Sequence, residues 1–225
     1  MKPSVTLAET TTPDGSTLSL HRHNGHYHMR VGGHGLVSTT AASSEARLAD
    51  LACERVGKGG GEKVLIGGLG FGFTLRRVLE LLHTDVKVQV AELLPEVVAW
   101  NREHLQSVNG ALVDDARVEI LIDDVFAVLT RANAACYDAV ILDVDNGPAA
   151  LVDSGNARLY ADPGLRILSR ALRRGGRAVF WSAAPDRAFM TRLAAAGFRA
   201  TTVRSKTHAK AKRGTRTLIV ADWHG

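Results

Sequence analysis

Apolar and polar positions divide the chain into two regimes. Over residues 1–40, short runs at 4–10, 16–23, 26–31 and 34–39 are separated by turn signals at Pro13-Asp14-Gly15, Asn24-Gly25 and Gly32-Gly33. This spacing predicts a small antiparallel unit. Asn24-Gly25 suits a two-residue type I′ hairpin, whose central residues both need positive φ. A helix is predicted from Ser43 to Val56, with Ser43 or Ser44 as its N-cap, and GKGGGEK beyond it reads as a linker.

From Val64 onward strands and helices alternate strictly. Strands are predicted at 64–68, 86–92, 117–122, 137–142 and 177–182, and helices at 72–83, 95–105, 125–134, 162–173 and 186–196. Two closing strands, 199–205 and 216–222, are joined by a basic loop and should pair as a hairpin. Apolar strands interleaved with helices imply a parallel sheet covered on both faces. The fold class is therefore α/β: a Rossmann-like, seven-stranded sheet of the class I methyltransferase type, mostly parallel, with a C-terminal antiparallel hairpin. Residues 1–42 are expected to form a small β unit before it, and residues 43–225 the Rossmann-like domain.

Composition narrows the setting. At 225 residues and 45% hydrophobic, the chain is one ordinary globular domain with a small appendage. No apolar run is long enough to span a membrane, and MKPSVTLAETTTPDG lacks the apolar core of a signal peptide. Cys53 and Cys136 lie in apolar segments without metal-like spacing, so they read as reduced core residues of a cytoplasmic protein.

The candidate chemistry sits at strand ends. In an open α/β sheet, ligands bind beyond the carboxyl ends of the strands, where strand order reverses. The first such loop is Gly67-Gly68-Leu69-Gly70-Phe71-Gly72, whose glycines let backbone approach a ligand and turn sharply into a helix. Glu92 ends the second strand, where a carboxylate can accept from both ribose hydroxyls. Asp124 ends the third strand, with Asp123 beside it, and can accept from an adenine amino group. Asp143 ends the fourth. Three carboxylates suit S-adenosylmethionine better than a dinucleotide, which has a pyrophosphate to place. Each acidic residue also reads, taken singly, as a helix N-cap. The expected cofactor-binding set is Gly68, Gly70, Phe71, Gly72, Glu92, Asp123, Asp124 and Asp143, with no metal.

With these residues in view, residues 43–183 resemble the spermidine synthase family, the polyamine aminopropyltransferases. The family's Gly-Gly-Gly-Asp-Gly-Gly loop and following Leu-Arg pair fall on Gly68-Leu69-Gly70-Phe71-Gly72-Phe73 and Leu75-Arg76. Its ribose-binding Glu falls on Glu92, its adenine-binding Gly-Asp on Asp123-Asp124, and its Tyr-Asp-hydrophobic-Asp strand on Tyr137 to Asp143. The resemblance thus implies that Asp143 is the catalytic base. Three departures stand out. Phe71 replaces the loop Asp that binds the amine of decarboxylated S-adenosylmethionine. The family's gate is shortened to Asp143-Val144-Asp145-Asn146-Gly147-Pro148, and its diamine-side Tyr and nearby acid fall on Leu48 and Asp50.

The sequence therefore ranks first an S-adenosylmethionine-dependent methyltransferase acting on a small amine, hydroxyl or peptide acceptor. A divergent aminopropyltransferase using decarboxylated S-adenosylmethionine is the alternative, and a non-catalytic S-adenosylmethionine-binding protein the third reading. Asp143 is the expected base, with Asp145 orienting the acceptor; Asp145-Asn146-Gly147 reads equally as a plain turn. Tyr160 and Trp181 have two readings, lining the acceptor pocket or packing in the core, and core packing is the favoured role for each. Strand alternation puts His21, His23, His26 and His28 on one face, which reads as solvated or as a subunit contact, although imidazole clusters also bind zinc, copper or nickel. The basic stretch Arg204 to Arg216 carries no aromatic stacking residue, so it reads as a solvated or steering loop rather than a nucleic-acid surface. The resemblance implies an oligomer, expected here as a homodimer.

Overall fold

In the computed structural model, residues 4–57, 61–144, 154–206 and 216–225 are described. Strands β1 (Val5–Thr11), β2 (Thr17–His23), β3 (His26–Val31) and β4 (His34–Ser38) make an antiparallel sheet in that order. Asn24 and Gly25 both take positive φ, 50° and 80°, in the two-residue turn joining β2 to β3. His21 pairs with His28 and His23 with His26, so the four imidazoles share one face. Leu20, Tyr27 and Met29 on the opposite face are buried.

Helix α1 (Ser43–Cys53) follows. Neither serine caps it: Ala42 occupies the N-cap without a side-chain hydrogen bond. The Ser44 hydroxyl instead donates to Glu45 Oε2 at 2.6 Å, which removes it from the capping role. The helix also stops three residues short of Val56, whose N–H closes a turn onto the Cys53 carbonyl.

The alternating half then runs β5 (Lys63–Gly67), α2 (Phe73–Leu81), β6 (Lys87–Glu92), α3 (Pro95–Glu103), α4 (Gln106–Asn109), β7 (Val118–Ile122), α5 (Val125–Arg131) and β8 (Tyr137–Leu142). It continues through α6 (Asp162–Ala171), β9 (Leu172–Ser182), α7 (Arg187–Ala195), β10 (Phe198–Ser205) and β11 (Arg216–Trp223). The sheet order is β10-β11-β9-β8-β5-β6-β7, and β11 runs antiparallel to both of its neighbours. Strand β5 has β6 on one side and β8 on the other, so strand order reverses at β5. This is the class I methyltransferase-like α/β fold, and its reversal point places the glycine loop after β5 at the expected ligand crevice.

The period of two along each strand builds two cores. Val64 and Ile66 face one hydrophobic cluster and Leu65 the other, all fully buried. The first cluster also takes in Leu18, Leu20, Tyr27 and Met29, so the small sheet packs into the core of the large one. Arg177 clamps the edge: it donates through Nε and Nη2 to Asp222, and through Nη1 to the Leu51 carbonyl and Glu54. Among the described residues no helix is long and apolar enough to cross a membrane. Asp145 to Pro148 and most of the basic stretch lie outside the described residues.

Candidate functional site

The glycine loop is shaped by close approach. Gly68 has φ +88°, and a Cβ there would lie 2.6 Å from the Asp143 carbonyl oxygen. No other residue fits between β5 and the end of β8. Gly72, at φ +75°, starts α2, and its missing Cβ makes room for the Asn109 amide rather than for the cavity. Two buried amides hold the loop from outside: Asn101 Nδ2 donates to the Gly70 carbonyl at 2.8 Å, and Asn109 Nδ2 to the Phe71 carbonyl at 2.6 Å. Asn109 Nδ2 also lies 2.8 Å from Asn101 Oδ1. Sequence reasoning missed this pair, because the contact depends on how α3 and α4 dock.

Phe71 is 1% exposed and packs edge-on against Phe73, with ring centroids 6.0 Å apart. It lines the cavity below the loop as an apolar floor. Beside it, Glu92 is buried at the end of β6. Its Oε2 accepts from the Leu69 N–H at 2.9 Å and its Oε1 from the Leu94 N–H at 3.0 Å. Burial raises its carboxyl above the usual range, and these backbone donors oppose the rise. A Cβ on Gly70 would meet nothing within 4 Å, so the loop leaves open space next to this carboxylate.

Asp123 pairs with Arg131, which holds its carboxyl below the ordinary value, and accepts from the Asp124 N–H at 2.8 Å. Asp124 caps α5, accepting through Oδ1 from the Phe126 N–H at 2.6 Å and the Ala127 N–H at 3.3 Å. Its other oxygen pairs with Arg158, from the 3-10 turn Ser154–Tyr160, and that guanidinium lies 4.6 Å over the Phe126 ring. The helix-cap reading therefore holds for Asp124, although both acids also line the cavity.

Asp143 closes the constellation. Its backbone N–H continues the ladder to the Gly67 carbonyl at 3.0 Å, and its Oδ2 accepts from the Thr74 hydroxyl at 2.7 Å. Asp143 is half-buried on the cavity, and desolvation there pushes its carboxyl up to about 6 against the Thr74 hydrogen bond. Glu45 lines the same cavity, its carboxyl pushed up to about 7 by burial first and then by the Asp143 charge. Leu18, Met29, Leu36 and Val37 from the small sheet wall this end.

Trp181 does both jobs: half-buried, it packs against the first hydrophobic cluster and lines the cavity, with the Arg216 guanidinium 5.3 Å from its ring centroid. Tyr160 is core, packed edge-on against Phe189 at 5.2 Å. Asp50 is outside the cavity, paired with Arg77 at 2.7 Å, and Leu48 is fully buried, so Glu45 supplies the acid on this side instead.

An open sheet with a glycine loop, a buried carboxylate at the end of β6 and a half-buried one at the end of β8 is the class I methyltransferase-like arrangement. The profile of the spermine/spermidine synthase domain matches residues 48–191, and the chain belongs to that family. It is 41% identical over 118 residues to polyamine aminopropyltransferase 2 of Pseudomonas aeruginosa, covering 50% of this chain and 31% of that protein. It is 34% identical over 117 residues to putrescine N-methyltransferase 4 of Nicotiana tabacum, covering 51% of this chain and 28% of that protein. The matched stretch is thus about a third of these relatives' own length. The crystal structure of spermidine synthase from Thermotoga maritima superposes with a TM-score of 0.75 at 20% identity, over 96% of this chain and 72% of that one.

Proposed function

We propose that this protein transfers an alkyl group from an adenosyl-sulfonium donor to an amine, with aminopropyl transfer from decarboxylated S-adenosylmethionine as the best-supported form. The observation that carries the reading is Asp143: a half-buried carboxylate at the end of β8, against the glycine loop, in one cavity with Glu92. Family membership and similarity to aminopropyltransferases support it further.

When bound, the donor supplies a carbon already activated by the sulfonium. The chain's own residues do the rest. Glu92 keeps lone pairs free for ribose hydroxyls beyond the two backbone N–H groups it accepts. The loop from Gly68 to Phe71 and the Asp123-Asp124 turn bound the donor side, and the small sheet excludes water from the acceptor side. Holding two reactants in line is worth about 7–11 kcal/mol. Asp143 takes the proton that the amine nitrogen sheds; a carboxyl raised to about 6 is a better acceptor than an ordinary one. General-base assistance of this kind contributes roughly 10²–10⁴-fold.

A second reading is methyl transfer from S-adenosylmethionine itself, favoured by Phe71. That apolar side chain offers no charge to the amine of an aminopropyl group and no repulsion to the carboxylate of the intact donor. The similarity to putrescine N-methyltransferases supports this form too. Calorimetric binding of both donors, followed by mass spectrometry of the product formed with putrescine, separates the readings. Tighter binding of the decarboxylated donor and a mass gain for aminopropyl support the first, and the reverse supports the second. Binding without turnover would favour a non-catalytic role, and no binding of either donor would overturn the proposal.

A further inference from the structure

Helix α1 packs against β8 and β9, and this docking carries Glu45, on its first turn, onto the cavity that holds Asp143. Each carboxylate has one oxygen engaged by a neighbouring hydroxyl: Ser44 Oγ to Glu45 Oε2 at 2.6 Å, and Thr74 Oγ1 to Asp143 Oδ2 at 2.7 Å. Among the described residues, Asp143 Oδ1 accepts no hydrogen bond, although the residue is half-buried on the cavity wall. The wall around the pair is apolar, from Leu18, Met29, Leu36 and Val37, with Trp181 beside it. Two like charges in such a setting are costly, and a cation placed between them relieves both the burial and the repulsion.

We propose that Glu45 is the positioning residue for the acceptor: its carboxylate and that of Asp143 together grip the acceptor's ammonium group and aim its nitrogen at the donor. This deepens the function proposed above and rests on it. The grip has a chemical consequence. In the free protein burial and mutual repulsion favour one bound proton on the pair near neutral pH. An incoming ammonium displaces that proton to solvent, leaving both carboxylates charged. Asp143 then takes one proton from the ammonium, which frees the nitrogen lone pair to attack the donor carbon. The N–C bond forms as the C–S bond breaks with its electron pair left on sulfur, and the neutral thioether nucleoside leaves while Glu45 stays ionised. Other charges around the pair are Arg216, which favours the charged form of Glu45, and Glu92, Asp123 and Asp124 on the donor side of the cavity.

The test compares wild type with Glu45→Gln and Glu45→Asp in two measurements that need no turnover. Carbon-13 NMR titration of side-chain carboxyls in the free protein, with Asp143→Asn added to the set, should show the Glu45 midpoint falling by about half a pH unit or more in Asp143→Asn, because the Asp143 charge has gone. Calorimetric titration of putrescine into the complex with methylthioadenosine should show affinity about tenfold or more weaker in Glu45→Gln. Run in two buffers of different ionisation enthalpy, it should also show less proton release. Glu45→Asp keeps the charge on a shorter arm, so it should retain the coupling yet bind putrescine more weakly, which keeps the test open if Glu45→Gln fails to fold. A Glu45 titration unmoved by Asp143→Asn, or putrescine affinity equal to wild type in either Glu45 variant, overturns the proposal. If wild type itself fails to bind methylthioadenosine, the donor reading falls, and the carboxyl titration still decides whether the two acids form a pair.

Discussion

The Thr74 hydroxyl donates to Asp143 across 2.7 Å, tying the first turn of α2 to the end of β8. The bond stabilises the charged form of Asp143 against the burial that raises it. Thr74→Val removes the donor and keeps the shape, so the acid limb of the kcat/KM profile should move to higher pH, with near-wild-type rates well above it. An unmoved limb would mean that Asp143 does not titrate in the rate. Asp143→Asn should lower transfer by about 10²-fold or more while leaving donor affinity within a few-fold.

The raised carboxyls also set a pH dependence of stability. Glu45 and Asp143 hold their protons more tightly in the folded chain than in the unfolded one, so the folded state binds more protons between the two sets of values. Their contribution is therefore fully present below the unfolded values, near 4, and is lost as pH rises through about 6 for Asp143 and about 7 for Glu45. Glu45→Gln should consequently be more stable than wild type at pH 8, on the order of 1–2 kcal/mol, with the difference shrinking towards pH 4. Urea unfolding at the two pH values checks this; a gap that widens towards acid would reverse the sign.

Glu92→Ala should weaken methylthioadenosine binding by about tenfold or more, since it removes a buried acceptor worth roughly 1.5–3 kcal/mol to its partners. Part of that loss will come from the Leu69 and Leu94 N–H groups it leaves unpaired. Calorimetry on the variant, with circular dichroism to confirm the fold, measures it. Unchanged affinity would remove Glu92 from the donor site.

Asn109→Leu should destabilise the chain by about 1–3 kcal/mol, because the Phe71 carbonyl loses its donor in a buried place. Donor affinity should fall with it, since the loop that Asn109 braces is the one that faces the ligand. Loss of stability with donor affinity intact would separate the brace from the site.

Arg177→Met should cost about 1.5–3 kcal/mol, because Asp222 loses both hydrogen bonds from Arg177 and keeps only the Arg55 guanidinium at 3.4 Å. Chemical denaturation reads the loss, and Arg177→Met combined with Asp222→Leu should recover much of it.

The strands and helices of the alternating half were legible because burial on both faces leaves near-continuous apolar runs, bounded by glycine and polar turns. The glycine loop, Glu92 and Asp143 were legible for a related reason: strand ends at the reversal point are set by local order along the chain. Glu45 was not, since only the docking of α1 across β8 and β9 brings it to the cavity. The same tertiary contact explains Ser44, whose hydroxyl looked like a cap in isolation and serves Glu45 instead. Trp181 could not be assigned from sequence, because an aromatic near a strand end has the same pattern whether it faces a core or a pocket, and here it touches both. Asp124 shows the opposite limit, a residue whose capping geometry and cavity position coexist, so that sequence alone could not choose between them.

Leu18 and Met29 belong at once to the cavity wall and to the shared hydrophobic core, whereas Leu36 and Val37 on β4 touch the cavity from positions only half-buried. Substrate preference and folding are therefore entangled at β2 and β3, where a large-to-small change costs about 2–5 kcal/mol. At β4 they come apart. A descendant of this chain drifting towards a bulkier or smaller acceptor has its open route through residues 36 and 37, and saturation libraries aimed at new acceptors belong there.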